Sequence, residues 1–171
     1  LLSRHTRMAI HRVTNGIELE PNSIYLIPPK SQMTVKGRKL YLTEKGLSQH
    51  VELPIDIFFR SLAEEAGEKA IAVILSGTGS DGSRGVQVVH DAGGFIVSQS
   101  PESAQFDGMP RNAIATGVCD LVLPPDRIPE VLIEYAQDPA SIRKRLQHEL
   151  EVFEDEGEYA KIFAILRRTC N

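Results

Sequence analysis

The chain reads as an α/β protein built on a mostly parallel, doubly wound sheet with helices on both faces and a small antiparallel hairpin. Three observations carry that reading. The run Ala70-Ile71-Ala72-Val73-Ile74-Leu75 is apolar throughout and of strand length, the pattern of a strand covered on both faces. It leads into a glycine-rich turn, Ser76-Gly77-Thr78-Gly79-Ser80-Asp81-Gly82, and then into a helix with Val86, Val89 and Ala92 at helical spacing. Gly93-Gly94 ends that helix and Phe95-Ile96-Val97 begins a second buried strand, so strand, turn, helix and strand form a βαβ unit. In open α/β sheets, ligands and catalytic groups collect at the carboxyl ends of strands, which is where this turn lies.

The remaining elements follow in order. Leu1 to Met8 is expected to close a helix, with Arg4, His5 and Arg7 on its wet side. Ile24 to Ile27 is a short strand stopped by Pro28-Pro29, and Met33 to Val35 pairs with Lys39 to Leu42 as a hairpin around Lys36-Gly37-Arg38. After a polar linker, Leu53-Pro54-Ile55-Asp56 opens a helix with proline in its first turn. Ile55, Phe58, Phe59, Leu62 and Ala63 form its apolar stripe, and Gly67 ends it. Beyond the second strand, Pro101 to Ala104 predicts a helical turn. Gly108-Met109-Pro110-Arg111 breaks the chain ahead of a short helix at Asn112 to Thr116. Leu121-Val122-Leu123 is a third strand, and Pro125 to Ala136 an amphipathic helix with Ile128, Val131, Leu132 and Tyr135 inward. Asp138-Pro139 marks a boundary. Past it, the stripes Ile142, Leu146, Leu150, Phe153 and Tyr159, Ile162, Phe163, Leu166 predict helices that dock on something other than the preceding domain. The division is thus 1–138 for the α/β portion and 139–171 for a helical linker.

Composition narrows the function classes. At 171 residues the chain accommodates one domain with an appendage, and 42% hydrophobic against 25% charged residues is a globular balance. A net charge of −4 argues against nucleic-acid binding, which wants a concentrated basic patch. No apolar run approaches the roughly 18 residues needed to span a bilayer. The start, LLSRHTRMAIHRV, lacks the apolar core and cleavage site of a signal peptide and opens without methionine, so the chain is expected to begin inside a larger polypeptide. Cys119 and Cys170 stand far apart with no metal-ligand spacing, which fits free thiols in a reducing cytoplasm and no metal site.

The turn itself admits three uses. Gly77 to Gly82 satisfies G-x-G-x-x-G, and Glu102 lies about where a ribose-binding acid would, so a dinucleotide loop is one. Against it, Asp81 would set a negative charge where a pyrophosphate must sit. A second use is to orient a histidine: held ionised at a helix N-terminus, an aspartate fixes the imidazole tautomer and stabilises the imidazolium. A third is simply to cap the helix. The residue types alone leave these open.

ILSGTGSDGSRG, the later SPESAQFDGMPRNAIATG, and the Pro-Pro turn after IYLI together resemble the catalytic domain of CheB-type chemotaxis receptor methylesterases, over about Leu1 to Ala136. LPIDIFFRSLAEE is similar to the form fused to a receptor methyltransferase, and EYAKIFAILRRTCN resembles the entry into that methyltransferase. The resemblance implies a cofactor-free hydrolase of glutamyl methyl esters on receptor helices, in some members also a glutamine deamidase. It makes Asp81 the acid of a Ser-His-Asp triad. It puts the amides of Gly77, Thr78, Gly79 and Ser80 near the oxyanion hole, and Gly108, Met109 and Pro110 in a loop beside the substrate cleft. Family members commonly carry methionine where Thr78 stands. The family's nucleophilic serine and its histidine belong upstream of the region matching Leu1, so the first strands are expected to be missing and the chain alone inactive. His5, His11, His50, His90 and His148 read as surface or helix-face residues, and Ser76, Ser80 and Ser83 lack a G-x-S-x-G elbow. The implied partners are receptor helices, the missing part of the same domain and a following methyltransferase domain, with no nucleic acid and no membrane insertion. A non-catalytic signalling module keeping the fold is the alternative, and a nucleotide-binding domain the third.

Overall fold

The computed structural model describes residue 4, residues 6–44 and residues 53–146. The chain divides into two compact units, Leu1–Ala70 with Asp81–Gly94, and Ile71–Ser80 with Phe95–Asn171. The expected α/β class holds: one three-stranded sheet is wholly parallel, helices alternate with its strands along the chain, and a small antiparallel sheet accompanies it.

The first unit begins with β1 (Ala9–Arg12), β2 (Ile17–Glu18) and β3 (Ser23–Leu26). β1 and β3 pair in parallel, with His11 opposite Tyr25. This pair was not expected, because its residues alternate only weakly and the first strand carries His11 and Arg12. Among the described residues before Ala9 no α-helix forms, so the expected helix ending at Met8 is not seen there. The predicted hairpin is present as β4 (Ser31–Lys36) and β5 (Lys39–Glu44), and β2 adds to its edge. Its turn places Gly37 at φ 55° and Arg38 at φ 59°, the left-handed pair that a tight hairpin of this twist requires.

Helix α1 (Pro54–Ala66) anchors that hairpin: its Glu65 carboxylate accepts the N–H groups of Gly37 and Arg38 at 2.8 and 3.2 Å, and Ser61 Oγ accepts Val35 N–H at 3.0 Å. Phe58 and Leu62 pack on a core of Val13, Met33, Val35 and Leu40. Helix α2 (Ser83–Asp91) packs against α1 at Gly85, where a Cβ would lie only 2.7 Å from Phe59 Cβ.

In the second unit, β6 (Ile71–Ile74), β7 (Phe95–Gln99) and β8 (Leu121–Leu123) run parallel with Val73, Val97 and Leu121 in register. Every residue of β7 is buried, as its unbroken apolar start predicts. Phe95 and Val97 form a core with Ile128 and Tyr135 of α4 (Ile128–Gln137), and the Phe95 and Tyr135 rings stack at 4.0 Å. α4 starts three residues later than the sequence suggests, because Pro124 to Arg127 closes a separate turn, with Arg127 N–H donating to Pro124 O. The short helix α3 (Gly108–Ile114) starts four residues earlier than expected.

The stripe past Asp138 also departs from expectation. Residues 139–146 are helical, and Ile142 and Leu146 are buried in the core with Phe95 instead of docking elsewhere. Arg143 holds the turn back by donating to Tyr135 Oη at 2.7 Å. Leu150, Phe153 and the second stripe lie outside the described residues, as do the polar linker at 45–52 and His5, His50 and His148.

Candidate functional site

The boundary between the units falls between Ser80 and Asp81, so the glycine-rich turn has a part in each. In the second unit, Ser76 to Ser80 leaves β6 and is held against the segment 106–112 by a main-chain clamp. Gly77 N–H donates to Phe106 O at 2.8 Å, and Met109 N–H donates to Gly77 O at 2.9 Å. Asn112 Nδ2 donates to Gly79 O and Gly108 O at 3.0 and 2.9 Å. Ser76 N–H donates to Gln99 Oε1 at 2.9 Å, while Gln99 Nε2 donates to Ser103 O. Glycine lets both faces of the clamp approach closely: a Cβ on Gly108 would lie 3.0 Å from the backbone Gly79 N, and one on Gly77 would meet the Met109 sulfur, which the flexible thioether would have to swing aside to clear.

The expected cleft-loop residues Gly108, Met109 and Pro110 therefore form the first turn of α3, with Gly108 and Met109 against the glycine turn and Pro110 buried. Of the four amides expected to serve an oxyanion, Gly77 N–H is already taken by Phe106 O. Thr78, Gly79 and Ser80 are exposed. Ser76 Oγ accepts Phe106 N–H at 2.9 Å, which makes its hydroxyl part of the clamp. On the exposed side of the same helix, Asp107 is held below the ordinary carboxylate range by its 2.6 Å hydrogen bond from Arg111, whose guanidinium is pushed up in return. The Cys119 thiol is pushed up to about 12 by burial and by the charge of Asp120, which makes it a poor nucleophile.

In the first unit, Asp81 is half-buried, and its carboxylate caps α1 from 26 residues away along the chain. Oδ1 accepts the N–H groups of Ile55 and Asp56 at 3.1 and 3.0 Å, and Oδ2 accepts Ile55 N–H at 3.2 Å. The N-cap residue of α1 is Leu53, which has no acceptor, so Asp81 satisfies the two amides an N-cap side chain ordinarily would. This differs from the expectation that Asp81 caps the helix it precedes. The N-cap of α2 is Gly82 at φ 93°, again without a side-chain acceptor, and Gly85 N–H donates to Asp56 Oδ1 at 2.7 Å. A dinucleotide would need those same α2 amides, and one is already bound to a carboxylate.

In the sequence Asp56 reads only as part of a helix opening, and the structure gives it a second task. Its one legible signal is an acid in the first turn of a helix whose N-cap position holds leucine. Elsewhere in this unit, His11 stacks on Tyr25 at 5.1 Å, and its Nε2 is buried without a hydrogen-bond partner among the described residues. His90 is exposed, 3.5 Å from Asp91. Ile55 also lines an apolar groove of about 420 Å³ with Ile27, Pro28, Pro29, Met33 and Phe58. Among the described residues no three His, Cys, Asp or Glu side chains gather as a metal site would require, and no helix is long and apolar enough to cross a membrane.

The family described as CheB methylesterase matches residues 1–132. The crystal structure of the Thermotoga maritima CheB methylesterase catalytic domain superposes with a TM-score of 0.63 at 32% identity, covering 72% of this chain and 67% of that one. A protein-glutamate methylesterase/protein-glutamine glutaminase of Syntrophus aciditrophicus is 32% identical over 79% of this chain and 39% of its own length. A 104.1 kDa protein of Rhodobacter capsulatus, encoded in the hypE 3′ region, is 50% identical over 79% of this chain and 14% of its own length. The chain thus spans well under half of the curated relatives it matches.

Proposed function

This chain belongs to the CheB methylesterase family, and from that premise we propose that it is the acid-bearing portion of a protein-glutamate methylesterase acting on chemotaxis receptors in the cytoplasm. The single observation that carries the proposal is the setting of Asp81. A carboxylate offers about four acceptor sites, and among the described residues three are occupied, by Asp56 N–H and by Ile55 N–H shared between both oxygens, which leaves one on Oδ2 for an imidazole N–H. Fixed donors at a helix N-terminus keep such a group aimed, as orienting a catalytic histidine demands.

The serine and histidine are proposed to come from a preceding part of the same domain, so the chain by itself should be inactive. Serine Oγ adds to the glutamyl ester carbonyl while histidine takes its proton. The oxyanion is proposed to draw on main-chain N–H groups of the exposed stretch Thr78 to Ser80, where a threonine in place of methionine leaves a backbone donor intact. Collapse expels methanol, which takes the proton from the imidazolium, and water then releases the glutamate carboxylate from the acyl-serine. The same attack on a side-chain amide would release ammonia, which makes glutamine deamidation an accessible second reaction. Gly108 and Met109 keep the turn in position and Pro110 stiffens the helix behind it. No cofactor enters. Residues from about 139 onward are proposed to lead into a methyltransferase domain, and the far greater length of the Rhodobacter relative is compatible with such a fusion.

The test is to express the polypeptide with its natural upstream residues and compare hydrolysis of methylated receptor by it, by its Asp81→Asn form and by the present chain. The asparagine form is expected to lose up to about ten-thousand-fold in turnover. A second reading, a non-catalytic module keeping the fold, is favoured by the fact that Asp81 already has a structural task as the α1 cap. Undiminished hydrolysis by the asparagine form would remove the catalytic assignment, and a silent parent would favour the module.

A further inference from the structure

We propose that Asp56 is a positioning residue for Asp81, holding the carboxylate in the direction an imidazole needs; this rests on the reading of Asp81 as the orienting acid. Asp56 is 6% exposed, and burying a carboxylate is costly unless its oxygens are engaged. Oδ1 is engaged by Gly85 N–H at 2.7 Å, while Oδ2 is buried with no hydrogen-bond partner among the described residues. A local cap for α2 would have to come from position 82, but that position is buried and its φ of 93° strains any side chain, so the acceptor for Gly85 N–H must come from elsewhere, and Asp56 supplies it. Glycine occupies that position, and leucine occupies the matching one on α1.

Each helix therefore receives its cap from the neighbourhood of the other, and Asp56 takes part in both exchanges. Its N–H donates to Asp81 Oδ1 at 3.0 Å, and its carboxylate accepts from Gly85, four residues after Asp81. The path from Asp81 to the Asp56 main chain, through the Asp56 side chain to Gly85 and back along the backbone to Asp81 is a closed ring. Gly85 permits the ring to be this small, because a Cβ there would sit 3.1 Å from Asp56 Cα. A ring fixes where the Asp81 main chain lies and which way its carboxylate points; with one link cut, only the direct cap remains. Misplacement of a reacting group by about an ångström can cost on the order of a hundredfold in rate.

The experiment has two readouts. In the longer polypeptide, Asp56→Ala is expected to lower kcat for receptor demethylation by about 10- to 100-fold with KM nearly unchanged. Asp56→Asn, whose carbonyl can still accept Gly85 N–H, should stay within a few-fold of the parent. In this chain itself, amide hydrogen exchange at Ile55 should accelerate in Asp56→Ala although its acceptor Asp81 is intact, and stay slow in Asp56→Asn. Parental kcat in a folded Asp56→Ala, or unchanged Ile55 exchange, overturns the proposal. If the alanine variant does not fold, a large loss of kcat in Asp56→Asn with Ile55 still protected overturns it equally. Asp81→Asn serves as the control: full activity there sinks the triad assignment, whereas the exchange at Ile55 reports on the ring whatever the activity does.

Discussion

The two parts of the glycine-rich turn are held by different chemistry. In the second unit, Ser76 to Ser80 is clamped by main-chain hydrogen bonds to Phe106 and Met109, with Asn112 and Gln99 adding side-chain reach. In the first, Asp81 and Gly85 are held by carboxylates facing helix N-termini. A main-chain clamp is indifferent to most side chains that point outward, so an exposed threonine at position 78 costs it nothing. A carboxylate cap depends on one functional group in one place.

That contrast is disturbed most from beneath. β7 carries Gln99, which holds Ser76, and Phe95 and Val97 of β7 share their core with Ile142. Ile142→Ala should lower stability to urea by about 2–5 kcal/mol, as fully buried aliphatic truncations do. A change too small to measure would mean that the helix at 139–146 is not part of this core.

A smaller effect sharpens the comparison directly. Gly85→Ala puts a Cβ against Phe59 Cβ and Asp56 Cα, atoms that cannot swing aside, and should cost about 1–3 kcal/mol. That matches or outweighs the roughly 1 kcal/mol gained from better helix propensity. Gly77→Ala meets only the flexible Met109 thioether, which can rotate away, and should cost under about 1 kcal/mol. The reverse order of melting temperatures would show that the main-chain clamp is the stricter of the two.

The smallest effect lies on the α3 surface. Arg111 lowers the Asp107 pKa by hydrogen bonding, and a lowered carboxylate contributes stability above its unfolded pKa that is lost as pH falls through its folded one. Both side chains are exposed, so solvent screens the pair. Arg111→Ala should return Asp107 to the ordinary carboxylate range in a carbon-detected titration, while the melting temperature at neutral pH stays where it was.

What could be read in advance follows the range of the forces involved. The hairpin was legible because Lys36-Gly37-Arg38 carries its own turn geometry, and β6, α2 and β7 because periodicity and glycine punctuation are local. The β1–β3 pair was not, since a parallel pairing between weakly alternating strands is chosen by what covers them. Asp81 was legible as a carboxylate at a strand-to-helix turn, but the helix it caps was not, because the capped amides lie 26 and 25 positions earlier. Asp56 gave almost no signal: an acid in a first helical turn is ordinary, and only burial and the Gly85 contact distinguish it.

By itself, then, the order of residues determined the α/β class, the strand, turn and helix of the central unit, and the presence of one carboxylate at its edge. These depend on propensity and spacing within about ten residues, which a linear chain expresses directly. Only the tertiary structure decided that Asp81 caps α1, that Asp56 answers it through Gly85, and that Ile142 and Leu146 complete the second core. Each of those needs two segments distant in sequence to approach within hydrogen-bonding or van der Waals range, and that approach is set by the packing of the whole.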